Sequence, residues 1–199
     1  MERTVSGSRS STARERAGVK VTPTELPEVL VIEPRVFADD RGYFCESWNA
    51  TAFANATGLS VSFVQDNESH SRSRVLRGIH YQLVRPQGKL VRAVSGAVLD
   101  VAVDLRRRSP RFGRWVAVEL SAENRKQVWV PPGFGHAFLV KSDSATLLYK
   151  TTDYWLIEHE RTLRWDDPQL GIEWCLTAAP LLAPKDATAP LLTDAEVYA

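Results

Sequence analysis

The chain has 199 residues, with 25 Lys plus Arg against 24 Asp plus Glu and a formal net charge of +1. That length suits one domain with a full core, and the balanced charge gives no global case for nucleic acid or an anionic membrane as a partner. Two cysteines, Cys45 and Cys175, make neither a disulfide framework nor a metal spacing. No apolar run is long enough to span a bilayer, and the polar N-terminus lacks the apolar stretch of a secretory signal, so the expected location is the cytoplasm.

Residues 1–18 are rich in Ser, Arg, Thr and Gly and read as a flexible tail; residues 19–199 read as a single domain. Val29 to Ile32, closed by Pro34, predicts a strand. Asp39-Asp40-Arg41-Gly42 is turn chemistry, and Tyr43 to Trp48 resumes as strand. Asn49 to Ala56 is the best helix candidate, with Asn49 as cap and Gly58 as stop. Short β runs then follow at Ser62–Asp66, Val75–Gln82, Lys89–Val94, Val98–Leu105, Trp115–Leu120, Gln127–Val130, His136–Val140 and Thr146–Thr152. The run Val98 to Asp104 is apolar except at Asp100 and Asp104, which suits a strand covered on both faces. Strands at this spacing, with Gly and Pro turns, predict a sandwich or barrel. After Trp165 the chain is Pro-rich and irregular and is expected to wrap that barrel with short helical turns.

Val75 to Gln82, followed by Lys89, concentrates an arginine, a histidine, a tyrosine, a glutamine and a lysine within fifteen residues. In a regular strand Arg77 and His80 face opposite ways; a bend at Gly78 would let them converge. The functional reading is a basic, anion-binding pocket with one imidazole placed for proton transfer. The plainer reading is a half-buried strand with a satisfied core histidine. Pro131-Pro132-Gly133-Phe134-Gly135-His136 has the Pro-x-Gly-x-x-His order that resembles the second motif of the cupin superfamily, a small double-sheet jelly roll. Metal-binding cupins carry His-x-His in their first motif; here that segment reads His80-Tyr81-Gln82. His80 and His136 alone make a poor transition-metal site, so no metal is expected. Tyr149, in Leu148 to Trp155, is a core tyrosine on the plainer reading. Facing a histidine across a barrel lumen it would be a general acid, because its phenol is protonated at neutral pH. Leu182-Ala183-Pro184-Lys185-Asp186 reads by itself as loop.

From about Val19 to Leu192 the chain resembles the dTDP-4-dehydrorhamnose 3,5-epimerase family. The matching segments, in order, are Phe37–Ser47, Phe63–Asn67, Leu76–Gln82, Gly88–Arg92, Asp100–Asp104, Pro132–His136, Leu148–Lys150 and Lys185-Asp186. The resemblance implies an all-β, cupin-type double-sheet jelly roll with a few short helices, usually a homodimer, working without cofactor or metal on a dTDP-4-keto-6-deoxy sugar. It implies His80 as base, Asp186 as the carboxylate that orients the imidazole and raises its basicity, Tyr149 as proton donor on the opposite face, and Lys89 as the cation near the keto oxygen. Arg41, Glu46, Gln65, Asp66, Asn67, Arg77, His136, Glu160 and Lys185 match positions that bind the nucleotide-sugar. Tyr154-Trp155 stands where many members carry two tyrosines, so Trp155 offers an indole for stacking in place of a phenol. The competing readings are a 3,4-ketoisomerase, a non-catalytic sugar-nucleotide-binding cupin and a metal-dependent dioxygenase. Binding alone has no use for a base–acid pair, and the dioxygenase lacks its second metal histidine. Which of C3 and C5 is inverted stays open at this stage.

Overall fold

The computed structural model describes residues 18–199; the segment read as a tail lies, apart from Gly18, outside the described residues. Thirteen strands are present among them: β1 (Val19–Pro23), β2 (Leu30–Pro34), β3 (Val36–Asp39), β4 (Gly42–Cys45), β5 (Gln65–Arg72), β6 (Leu76–Gln82), β7 (Lys89–Ser95), β8 (Ala97–Asp104), β9 (Trp115–Ser121), β10 (Gln127–Val130), β11 (Phe134–Val140), β12 (Ser144–Thr151) and β13 (Glu160–Thr162). Two helices join them, α1 (Ala50–Thr57) and α2 (Pro184–Ala187).

A six-stranded sheet, β1-β2-β10-β7-β12-β5, packs on a five-stranded sheet, β13-β6-β11-β8-β9; β3 and β4 form a separate hairpin. This is the cupin-type double-sheet jelly roll that the sequence predicted. Three apolar layers follow from it. Val91, Val98, Ala102, Leu120, Val128, Phe134, Phe138 and Leu147 fill the space between the sheets. Leu76, Ile79, Val101, Val103 and Leu139 line the outer face of the five-stranded sheet, where the C-terminal segment covers them with Leu163, Leu170, Trp174 and Leu192. Alternate residues of β8 therefore enter different cores, which is why its sequence is apolar almost throughout. On the outside of the six-stranded sheet, Phe53 of α1 packs with Ile32, Leu90 and Trp129.

Helix α1 has the ends its sequence predicts. Asn49 Oδ1 accepts from the Ala52 N–H at 3.0 Å, and Gly58 closes the helix at φ 76° with its N–H on the Ala54 carbonyl. The turn at Asp39–Gly42 joins β3 to β4. The strand expected at Ser62–Asp66 is displaced: β5 begins at Gln65 and runs to Arg72 through Asn, Glu, Ser and His. Its inner residues face a polar cavity rather than an apolar core, so it lacks the hydrophobic alternation by which a half-buried strand is recognised. Strand β4 ends at Cys45, short of the expected Trp48, which instead packs with Phe53 and Phe63.

One irregularity positions the site. Between β6 and β11, His80 pairs with His136 and Arg77 with Phe138, so Gly78 and Ile79 together oppose the single Ala137. This is a β-bulge. Gly78 sits at φ +114°, and a Cβ there would meet the His136 carbonyl oxygen at 2.6 Å and the Ala137 Cβ at 2.7 Å. Only glycine fits. Gly78→Ala is expected to lower stability by about 2 kcal/mol or more, a fall in Tm of roughly 5 °C or more. A thermal melt indistinguishable from that of the native protein would refute this account of the bulge.

Candidate active site

The bulge at Gly78–Ile79 resets the alternation of β6. Leu76, Ile79 and Tyr81 point outward into the core beneath the C-terminal segment. Arg77, His80 and Gln82 line a cavity of about 640 Å³ between the sheets. The convergence of Arg77 with His80 foreseen for a bend at Gly78 is realised. The bulge also frees the Gly78 N–H from the ladder, and it donates to Asp186 Oδ2 at 3.3 Å; on the other edge of β6 the Ile79 N–H donates to the Leu163 carbonyl at 3.2 Å, continuing the pairing with β13.

Asp186 lies in the first turn of α2, begun by Pro184 at a position where the missing N–H costs nothing. It is 1 % exposed. Its other carboxylate oxygen lies 2.6 Å from His80 Nε2. With the Nε2 proton donated to that carboxylate, His80 Nδ1 carries the lone pair. Burial pulls the His80 imidazole below its ordinary value; Asp186 opposes this without cancelling it, and Lys185 and Lys89 add to the fall. Asp186 does raise the basicity of the imidazole, but loss of water outweighs it. The imidazole is thereby neutral at neutral pH, the form a general base requires.

A second buried dyad lies on the neighbouring strands. His136 Nε2 is 2.9 Å from Asp100 Oδ2. Sequence reasoning marked Asp100 only as a polar exception in an apolar strand. The signal was there: a carboxylate in a strand covered on both faces requires a partner, and β8 runs beside β11 with Ala102 opposite His136.

The facing sheet supplies the rest of the cavity: Tyr149 from β12, Lys89 from β7, and Gln65 and Asn67 from β5. Tyr149 and His80 therefore stand on opposite walls. Burial raises the Tyr149 phenol, with Arg77 and Glu160 acting in opposite senses, so it remains a proton donor. Desolvation lowers the Lys89 ammonium to about 8, against the pull of Asp100 and Glu160; it is still mostly charged at neutral pH. At the rim, Arg77 Nε donates to Ser71 Oγ at 3.0 Å, and Lys185 pairs with Glu160 at 2.8 Å. Trp155 lines the same cavity from the loop after β12.

Three of the sequence-predicted site residues lie elsewhere. Asp66 points away from the cavity and pairs with Lys150 at 2.9 Å. Arg41 is at the tip of the β3–β4 hairpin, 89 % exposed and paired with Asp39. Glu46 accepts from the Asn49 side chain at 3.3 Å. Among the described residues no three of His, Cys, Asp and Glu come together as a metal-ligand set, and no helix is long and apolar enough to cross a membrane.

A closed double-sheet jelly roll whose lumen carries histidine–aspartate dyads, a tyrosine and lysines defines an enzyme of the cupin type. The chain belongs to the dTDP-4-dehydrorhamnose 3,5-epimerase family, an isomerase family whose model matches residues 23–194. It is 56 % identical over 180 residues to a dTDP-4-dehydrorhamnose 3,5-epimerase of Pseudomonas aeruginosa, covering 90 % of this chain and 99 % of that one. Among solved structures it is similar to the dTDP-6-deoxy-D-glucose-3,5-epimerase of Legionella pneumophila in complex with dTDP-4-keto-L-rhamnose. The TM-score is 0.88 and the identity 47 %, over 89 % of this chain and 95 % of that one. It is also similar to a 3'-monoepimerase of Streptomyces bikiniensis in complex with dTDP-quinovose, with TM-score 0.81 and 38 % identity over 86 % and 87 % of the two chains.

The opposing contributions to His80 make a titration informative. An NMR titration should place the His80 imidazole below the ordinary value of about 6.5. Asp186→Asn should lower it further, because the partner that favours the imidazolium is gone while the burial remains. A native value above 6.5 would overturn the assignment of a base kept neutral by desolvation.

Proposed function

We propose that this chain inverts C3, C5 or both of a dTDP-4-keto-6-deoxyhexose, in the making of rhamnose or of an antibiotic deoxysugar, by proton transfer through an enolate and without a cofactor. The observation that carries the reading is the placement of His80 and Tyr149 on opposite walls of one cavity that also holds Lys89. The 4-ketone acidifies the C–H bonds on either side of it and takes up the electron pair when one of them breaks. Inversion then needs a base on one face, an acid on the other and a cation at the oxygen where charge develops. His80 takes the proton and passes into its charged form beside the Asp186 carboxylate. Lys89 stabilises the enolate oxygen. Tyr149 returns a proton to the far face. Arg77 and Lys185 suit the diphosphate, Arg77 through its planar fork of donors. Gln65, Asn67, His136 and Glu160 bind the remaining polar groups of the nucleotide-sugar, and Trp155 offers a stacking face.

Tyr149→Phe separates proton removal from inversion. The ring and its packing stay, and His80 still deprotonates, but the enolate is reprotonated from the His80 face or slowly from water. In deuterated water the variant should exchange the sugar C–H with retained configuration, while inverted product falls about a hundredfold, the scale of a lost general acid. Full epimerisation by Tyr149→Phe would sink the two-face assignment. The positions that gain deuterium in the native enzyme identify the carbons that exchange, and the configuration of the product at each identifies those inverted.

The remoteness of Arg41 and Glu46 from the cavity is consistent with a homodimer. The hairpin that leads to them exposes Phe37, Tyr43 and Phe44 at 50, 57 and 64 %, an apolar surface suited to a partner. In a two-fold dimer the hairpin of one chain reaches the cavity of the other, bringing Arg41 and Glu46 to bound substrate in trans. Arg41→Ala and His80→Ala, each impaired alone, should then recover roughly a quarter of native activity on equal mixing and subunit exchange, since half the dimers are mixed and hold one intact site. No recovery in mixed dimers would show that Arg41 does not act across an interface.

A further inference from the structure

Gln82 stands where a metal-binding cupin would carry its second histidine, and the reaction proposed above gives it no part. It is 3 % exposed, and its amide is fully used. Nε2 donates to the Arg85 carbonyl at 2.8 Å and to the Tyr154 carbonyl at 3.1 Å. Oε1 accepts from the Leu156 N–H at 2.7 Å. These three backbone groups belong to two loops, residues 83–88 after β6 and residues 152–156 after β12. Both loops stand at the mouth of the cavity.

The contacts bracket one residue. Trp155 lies between the carbonyl of Tyr154 and the N–H of Leu156, both held by Gln82. Its own N–H donates to Gln65 Oε1 at 3.1 Å. Further lacing keeps the loops together: Arg85 Nε on Asp153 Oδ2 at 3.0 Å, and Gln87 Nε2 on the Asp153 carbonyl at 2.8 Å. Those groups are at least partly open to solvent, where such contacts are weak. Gln82 is buried beneath them, where loss of a partner strands polar groups without water. Behind it, the Tyr198 hydroxyl donates to the Gln82 carbonyl at 2.8 Å, so the end of β6 is braced from the C-terminal side as well.

We infer that Gln82 is a positioning residue for Trp155: its buried amide fixes the loop that presents the indole to the nucleotide-sugar, and it sets binding rather than proton transfer. The inference rests on the reading of this cavity as a dTDP-sugar site. Trp155 is 49 % exposed, so its own packing leaves it only partly anchored. A stacking face on a loose loop must be ordered when ligand arrives, at a cost in affinity; a loop held in advance avoids that cost. His80, two residues back on the same strand, is held independently by Asp186.

The test uses the full chain with dTDP as calorimetric probe and the 4-keto sugar nucleotide as substrate. Gln82→Met keeps the length of the side chain and deletes all three hydrogen bonds. Gln82→Glu keeps the acceptor for Leu156 but sets a carboxylate against two carbonyls. Both should raise the Kd for dTDP and the KM about tenfold, the scale of buried polar groups left unpaired. At saturating substrate, deuterium exchange should fall by no more than about threefold. In a Trp155→Ala background the further loss on adding Gln82→Met should shrink below about twofold, because the two residues act as one. Should one variant not fold, the other carries the same measurements. A folded variant with native Kd and KM and only a lowered Tm overturns the inference, as does an undiminished effect in the Trp155→Ala background or a loss confined to the exchange rate. Native protein that fails to bind dTDP sinks the reading of the cavity and this inference with it, whereas native binding with unchanged variants sinks the inference alone.

Discussion

The buried carboxylate of Asp186 is the constraint on which the site depends. It is almost fully removed from water and accepts two hydrogen bonds, one from the Gly78 amide freed by the bulge and one from His80. A buried carboxylate without such partners would be costly. Each partner in turn requires the bulge: without the extra residue, Gly78 N–H would belong to the sheet and His80 would leave the face it shares with Arg77. One acid thus holds together a C-terminal helical turn, the irregular stretch of β6 and the orientation of the His80 imidazole. The C-terminal wrap adds Leu163, whose backbone pairs in both directions with Ile79, so the distortion is supported from outside the sheet as well.

The two sheets divide their labour along the barrel. Toward one end their facing residues are apolar and close-packed, Val91, Val98 and Leu147 among them. Toward the other end β6, β7 and β12 turn polar, with His80 and Gln82 on β6, Lys89 on β7 and Tyr149 on β12; on β11, His136 stands between Phe134 and Phe138. A strand with period two delivers both ends to one lumen. The apolar end and the covered outer faces supply the rigidity; the polar end supplies the chemistry. Desolvation does the tuning, holding His80 neutral, keeping Tyr149 protonated and bringing Lys89 down to about 8.

Much of this was legible in the sequence. The doubly covered β8 could be read from its nearly unbroken apolar run, α1 from Asn49 and Gly58, and the bulge from a glycine set between Arg77 and His80. Strand β5 was misplaced because hydrophobic alternation reports burial against an apolar core, and its inner face meets a polar cavity. Asp186 sits in a segment with no local signal at all; only resemblance pointed to it, because contact with His80 across 106 positions is a property of the fold. Arg41 and Glu46 matched binding positions, yet they lie far from their own chain's cavity.

Most charges of the cavity are paired. Asp100 and Asp186 are each committed to a histidine, and the Glu160 carboxylate to Lys185 at the rim. Among the described residues Lys89 has no such partner at hydrogen-bond distance and feels Asp100 and Glu160 only through space. A cation in that position gains most when negative charge appears nearby, because no tight pair has to be broken first. In the reaction proposed above an enolate oxygen is such a charge, formed during the reaction and absent before it. Stabilisation that appears only as the charge develops lowers the barrier without tightening ground-state binding; on the proposed mechanism this distinguishes Lys89 from Lys185, whose ammonium is already engaged by Glu160 at the mouth.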